Sequence, residues 1–322
     1  MQFTKIALFG ANGDIGNAIL HALATCEEQS FNITAIVSPS SHLKYSGETK
    51  SITVKKLDVL SATEEDFAQT LENVEVVISA LGGKLLDCQL TMQNGAAQAG
   101  VQRFYPSEFG MHQIPVLPNG EHFVHPAWAQ KIKCFENATR HPAVEAGLMF
   151  YTVIGCGEMF DVGEEPMLCP WLKADVDEYV IHTVGNKHSK VDFCSRHDVA
   201  SFLVSSICLP RLSENRVLGL RGHNTSWAEI ATSLRRHTSK PVDINNIPVD
   251  MAIDWIKHPA KVPLTLQNGS SFPPDFWLLL RYVEGQGRIS RSSGQFHDDI
   301  FLRNGATHIN EYFKELFSNA QD

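Results

Sequence analysis

The chain has 322 residues, 43% hydrophobic and 20% charged, which is the composition of a folded globular protein and excludes disordered, collagenous and coiled-coil classes. At this length roughly 75% of the unfolded surface can be buried, so a core needs neither disulfide nor metal. Its 36 acidic and 27 basic residues give a formal charge of −9, and no basic cluster offsets it, which argues against nucleic acid as a partner.

The 7 cysteines are scattered and never spaced Cys-x-x-Cys, against both a disulfide framework and a thiolate zinc site. That usage predicts a reducing, cytoplasmic setting. The first apolar run is too short for a signal peptide, and no window reaches the ~18 apolar residues of a membrane span.

In chain order, the first 110 residues alternate strand and helix signals. Strands are predicted at Phe3–Phe9, Ile33–Val37, Ile52–Leu57, Val74–Ala80 and Gln102–Tyr105. Between them fall helices at Ile15–Thr25, at Glu64–Leu71 with Ser61 or Thr63 as cap, and at Gln89–Ala99, stopped by Gly100. Such alternation predicts an α/β fold built on a doubly wound parallel (Rossmann) sheet.

Further on, helices are predicted at Trp128–Ala138, Asp198–Ile207, Ser226–His237 with a Ser226/Glu229 capping box, Asp275–Glu284 and His308–Phe317. Strands are expected at Gly147–Ile154, Lys190–Phe193 and Arg216–Leu220, and loops at Phe160–Val176 and His258–Pro274. The division expected is an NAD(P)-binding domain over 1–157 and a smaller substrate-binding region over 158–322, of which about 190–225 returns to the sheet.

The sharpest motif is Gly10-Ala11-Asn12-Gly13-Asp14-Ile15-Gly16, between the first strand and the first helix. Three glycines so spaced permit a tight turn, backbone contact with a pyrophosphate and close helix–strand packing, while the helix N-terminus offers amides to phosphate. An NAD site of this kind carries a carboxylate about 20 residues on, after the second strand. Here that place reads Val37-Ser38-Pro39-Ser40-Ser41-His42-Leu43-Lys44, with hydroxyls and a lysine able to take a 2′-phosphate, so NADPH is the expected cofactor. Asp58 is placed to accept from the adenine amino group, and Ser79-Ala80-Leu81-Gly82-Gly83 to face the nicotinamide ribose.

Three common chemistries are missing. None of the 6 tyrosines has lysine four positions on, and neither His-Glu-x-x-His nor Gly-x-Ser-x-Gly occurs. No metal site is expected; His122 and His125 read as solvent-facing or substrate-lining.

What remains is Arg103-Phe104-Tyr105-Pro106-Ser107-Glu108-Phe109-Gly110, followed by Lys131 on the next helix. In these residues the chain resembles the isoflavone-reductase-like branch of the NmrA-like atypical short-chain dehydrogenases, whose fifth strand ends in the same RF-x-PSEFG pattern. The resemblance implies that Lys131 is catalytic, although Phe135 stands where arginine is usual, and Lys133 is the competing register. It extends more weakly through Asp198-Val199-Ala200 to Glu311-Tyr312-Phe313, and departs at Cys156, where the family has an asparagine-containing turn. Physically, a lysine after strand five projects toward the cleft beyond the strand ends, where an ammonium polarises a carbonyl or donates a proton.

Ser107 is read as a cofactor contact, and Glu108, Phe109, His112, His125, Cys156 and Phe160 as substrate contacts. Phe272, Phe276, Trp277 and Tyr282 are candidates to cover the cleft. The reading is an NADPH-dependent reductase of a small conjugated ketone, enone or phenolic substrate, with Lys131 as proton donor. Two alternatives stay open: a non-catalytic dinucleotide sensor that binds a protein partner, and an isomerase or cyclase that keeps the cofactor site. Substrate identity, direction and oligomeric state, a homodimer included, are not legible in the sequence.

Overall fold

Ile6, Ala7, Leu8 and Phe9 are all fully buried, so the strand they form, β1 (Lys5–Phe9), requires cover on both faces. The chain supplies it by winding: α1 (Asp14–Ala24), β2 (Asn32–Val37), β3 (Ile52–Lys56), α2 (Glu64–Thr70), β4 (Val76–Ser79), α3 (Gln89–Gln98) and β5 (Arg103–Tyr105). Next come α4 (Pro126–Thr139), α5 (Pro142–Glu145) and β6 (Phe150–Cys156). The structure, a computed structural model, describes residues 2–110, 125–163, 165, 167–173, 175–267, 270 and 272–318.

The second half contributes β7 (Glu158–Met159), β8 (Tyr179–Val184), β9 (Val191–Cys194), α6 (Arg196–Cys208), α7 (Pro210–Ser213), β10 (Arg216–Leu220) and β11 (His223–Thr225). Then follow α8 (Trp227–His237), β12 (Val242–Ile247), α9 (Val249–Lys257), α10 (Leu264–Gln267), α11 (Pro274–Gly285), α12 (Asp298–Phe301) and α13 (Ile309–Ser318).

The main sheet has the order β10-β6-β5-β4-β1-β2-β3 with every pair parallel. Strand order reverses between β1 and β4, and that switch point opens the crevice in which such sheets bind ligands. Ile6 and Leu8 face the side covered by α1 and α6, whereas Ala7 and Phe9 face the side covered by α2 and α3. The doubly wound sheet expected from the alternation is therefore present.

The sheet is not confined to the first half of the chain. β10 adds to its edge beside β6, and α6 lies on α1. Arg103 ties this edge together: its buried guanidinium donates to Thr152 Oγ1 and Ser213 Oγ, each at 2.9 Å, and to the Pro210 carbonyl at 3.1 Å. The arginine that opens the RF-x-PSEFG pattern thus anchors the end of β5 away from the crevice.

The remaining segments build a second core, with parallel β8 and β12 beneath α8, α11 and α13 and a small sheet of β11, β9 and β7. β8, β12 and α9 are elements the sequence reading does not assign, and the stretch expected as one loop over His258–Pro274 holds a 3₁₀ turn at Pro259–Lys261 and the short α10. Caps fall where the side chains allow: Thr63 closes a capping box with Asp66, and Ser226 one with Glu229.

Gly95 in α3 is a packing glycine. A Cβ there would lie 2.5 Å from the Glu64 carbonyl oxygen and from Phe67 Cβ of α2. Gly95→Ala is expected to destabilise the fold by about 1–3 kcal/mol in urea unfolding, even though alanine is the better helix former by about 1 kcal/mol. A stabilised variant would show that α2 and α3 tolerate separation.

Candidate active site

The turn after β1 is shaped by what its glycines leave out. At Gly10, φ is +81° and a Cβ would meet the Ala80 carbonyl oxygen at 2.5 Å; at Gly16 it would meet the Gly10 oxygen at 2.0 Å. These two glycines let β1, β4 and α1 approach backbone to backbone. Gly13 differs, because its φ of −78° is ordinary and a Cβ there would touch only the Gly10 oxygen, at 3.4 Å. That position opens on the cleft. No side chain caps α1, so the amides of Asp14, Ile15 and Gly16 face the cleft unclaimed by the helix. A cradle that a Cβ would fill, beneath a free helix N-terminus, fits the diphosphate of a dinucleotide.

The adjoining loop is tied to this turn. Asn12 Nδ2 donates to the His42 carbonyl at 2.8 Å, Asn12 Oδ1 accepts from the Lys44 amide at 2.7 Å, and Asn17 Nδ2 donates to the Lys44 carbonyl at 2.6 Å. Asn12 therefore shapes the loop beside the cleft. Ser38 Oγ donates to Ser41 Oγ at 2.7 Å, and the Lys44 ammonium has no partner among the described residues. A cavity of about 490 Å³ opens here between Asn12, Gly13, Lys44, Arg196 and His197. Asp14 meets Arg196 at 3.3 Å, which draws its carboxylate toward that cation. Asp58 is exposed and accepts from the Leu60 amide at 3.3 Å in its own turn. Past β4, Ala80 and Leu81 lie against Gly10 of the glycine turn, and a Cβ on Gly82 would meet nothing.

At the end of β5 the two halves of the site meet. Ser107 is held from both sides: its amide donates to Gln89 Oε1 at 2.8 Å and its hydroxyl to the Leu81 carbonyl at 2.5 Å. From α4, Lys131 Nζ donates to the Ser107 carbonyl and Ser107 Oγ, both at 2.9 Å, and to the Glu108 carbonyl at 3.1 Å. Burial depresses the Lys131 pKa, and nearby Glu108 works against that shift. Lys133 is exposed on the outer side of the same helix. Phe109 then takes φ +49°, a left-handed conformation that turns the chain so that Gly110 pairs with Gly155 of β6.

Beyond Phe109 lies an apolar cavity of about 220 Å³, walled by Trp128, Met159, Leu168, Phe272, Phe276 and Leu280 together with Glu158. Among the described residues no cluster of His, Cys, Asp or Glu could hold a metal, and no helix is long and apolar enough to cross a membrane.

With this geometry in place, comparison with known proteins is decisive for the family: the model described as the NmrA-like family matches residues 2–277. The chain belongs to the NmrA-like family. It is similar to phenylcoumaran benzylic ether reductase PT1 of Pinus taeda, 24% identical over 274 residues that cover 82% of this chain and 86% of that one. In solved structures this NmrA-like chain resembles an isoflavone reductase, with TM-score 0.72 and 18% identity over 98% of this chain and 99% of that one. It also resembles the leucoanthocyanidin reductase of Vitis vinifera in binary complex with NADPH, with TM-score 0.72 and 15% identity over 98% and 99%.

Several sequence-assigned contacts sit elsewhere in this NmrA-like chain. Cys156 is fully buried on the α1 and α6 side of the sheet, and Phe160 is buried against Tyr312 at 5.0 Å, so neither lines the cavity. Trp277 is fully buried and Tyr282 packs in the second core; only Phe272 and Phe276 reach the cavity. His125 stands behind the wall, edge-on to Phe276 at 5.1 Å and 3.3 Å from Asp275. His112 and His122 lie outside the described residues. The sequence reading missed Trp128 and Glu158 as wall residues, and no local motif marks either.

The contrast between the glycines is testable. Gly13→Val is expected to abolish binding of either nicotinamide dinucleotide while leaving the melting temperature near that of the wild type, whereas Gly16→Val should fail to fold, its Cβ meeting backbone. Fluorescence titration and thermal melting read both; normal binding by Gly13→Val would reduce the motif to a turn.

Proposed function

We propose that this protein is an NADPH-dependent reductase of a small aromatic substrate carrying a conjugated carbonyl or phenolic group, with Lys131 as the proton donor. The observation that carries this reading is the Lys131 ammonium, brought from α4 to the Ser107 and Glu108 oxygens at the end of β5, directly before Phe109, which lines an apolar cavity. The names of its relatives support it: a reductase of phenylcoumaran benzylic ethers and a leucoanthocyanidin reductase crystallised with NADPH.

When bound, the nicotinamide supplies a hydride. The glycine turn and the amides of Asp14, Ile15 and Gly16 would hold the diphosphate, and Ser38, Ser41 and Lys44 the 2′-phosphate. Phe109, Trp128 and Phe276 exclude water and present an aromatic ring toward the strand end. Lys131 keeps its three Nζ protons on oxygens of Ser107 and Glu108 until a substrate oxygen replaces one of those acceptors. A depressed pKa makes that proton easier to give up. Because the acid form is required, turnover should fall as pH rises through a value below the ordinary lysine range.

The same saturation of Lys131 favours a second reading, in which the lysine only braces β5 in a dinucleotide-binding regulator that turns nothing over. Lys131→Met separates the two. In the reductase it should retain NADPH affinity within a few-fold and lose turnover by at least about 100-fold, with Lys133→Met close to wild type. Unchanged turnover in Lys131→Met removes the lysine acid. No NADPH oxidation by the wild type across enone, quinone and phenolic panels favours the regulator.

Cofactor choice is tested separately. Lys44→Ala is expected to weaken NADPH by about 1.5–3 kcal/mol, the worth of a charge-assisted hydrogen bond, and to leave NADH nearly unchanged. Equal weakening of both, measured by nicotinamide fluorescence, would remove Lys44 from the 2′-phosphate site.

A further inference from the structure

Glu158 is the one ionisable side chain on the wall of the apolar cavity among the described residues, set between Phe109, Trp128, Met159, Phe276, Leu280 and Ile289. Its carboxyl has no hydrogen-bond partner among the described residues. The nearest cation is already committed. Arg281 Nη1 donates to both oxygens of Glu284, at 3.1 and 3.0 Å, Nη2 donates to the Met167 carbonyl at 2.9 Å, and the guanidinium stacks on Trp227 at 3.8 Å. Trp227 Nε1 completes the set on Glu284 at 2.7 Å. From β9 the facing partner of Glu158 is Phe193, and the adjacent Asp192 is turned to Asn224, Arg221 and the Arg291 amide. Cys169 is the remaining titratable neighbour. Glu158 is thus surrounded by apolar wall, a thiol and a neutralised ion pair.

We infer that the Glu158 carboxylic acid selects the substrate, by donating a hydrogen bond to an acceptor oxygen (ether, methoxyl or carbonyl) on an aromatic ring seated in this cavity. A protonated carboxyl has one donor, and in an apolar pocket that donor is costly to leave unmade. A ring without an oxygen at that place leaves it unmade, and an anionic group there is repelled as soon as Glu158 ionises. Burial first, and then the Glu284 charge, push the Glu158 pKa up to about 8 against the pull of Arg281, so the acid form persists at neutral pH. The volume agrees: an apolar cavity of ~150 Å³ takes benzene, and this one has about 220 Å³. This assignment rests on the cavity being the substrate site of the reductase proposed above.

Anisole and ethylbenzene test it, being close in shape and differing by one acceptor oxygen. Binding to the full chain is read by ligand-observed NMR titration, with no turnover involved. At about pH 6 anisole should bind roughly tenfold more tightly, as expected for one net hydrogen bond, and the preference should vanish by about pH 10, where the carboxylate has no proton to donate. Glu158→Gln keeps an N–H donor that does not titrate, so it should hold the preference at both pH values; Glu158→Leu should abolish it. Equal affinities in the wild type, no binding of either ring, or an undiminished preference in Glu158→Leu overturns the inference. Should Glu158→Leu prove unfolded by thermal melting, the pH response of Glu158→Gln decides: a wild-type-like loss by about pH 10 overturns it. If the preference holds while NADPH is not oxidised with any carbonyl substrate, the reductase reading falls, and with it the selection of a substrate, leaving Glu158 as the donor of a ring-binding site; turnover without the preference removes this inference alone.

Discussion

Three protons on one ammonium hold the crevice in shape. Lys131 belongs to α4, and the oxygens it reaches belong to the two residues that leave β5, so the helix and the strand end are fixed to each other at 2.9–3.1 Å. A half-buried cation is expensive unless its hydrogen bonds are complete, and here Ser107 and Glu108 complete them. Ser107 in turn donates to Leu81, which fixes the end of β5 against the residues after β4. At the opposite end Arg103 locks β5 to β6 and to α7, the short helix before β10. A three-residue strand is thereby pinned by a cation at each end, and both the glycine turn and the apolar cavity are positioned from it.

The first half of the fold was legible because its strands are buried on both faces and read as unbroken apolar runs, as Val76–Ser79 shows. The second half lacks that signal. β12 reads Val242-Asp-Ile-Asn-Asn-Ile, half of it exposed, and exists as a strand because β8 pairs with it in parallel register although three strands and three helices lie between them in sequence. Propensity alone does not specify such a strand; tertiary pairing does.

The site divides in the same way. Gly10, Gly13 and Gly16 announce themselves by spacing, and Lys131 by its distance from a recognisable strand end. The cavity wall does not, since it gathers Phe109, Trp128, Glu158 and Phe276 from four separate segments. Cys156 and Phe160 illustrate the failure physically. Side chains alternate along β6, so Cys156 falls on the face covered by α1 and α6. Gly157 then passes so close to β9 that a Cβ would meet the Asp192 carbonyl oxygen at 2.2 Å. That approach redirects the chain into β7 and brings Glu158 and Met159 to the cavity while Phe160 turns into the second core.

Charge placement gives the crevice its polarity. At the end of β5, the Lys131 cation is satisfied by neutral carbonyls and a hydroxyl, so none of its hydrogen bonds is an ion pair. At the wall, Arg281 spends its hydrogen bonds on Glu284, and its pull on Glu158 is outweighed by burial and by the Glu284 charge. Exchanging the partners would reverse the chemistry: a carboxylate paired with Lys131 would hold its proton more firmly, and a cation beside Glu158 would turn a hydrogen-bond donor into an acceptor. The ion pair buried behind the cavity therefore matters for what lies in front of it, because the Glu284 charge, with burial, favours the protonated form of Glu158.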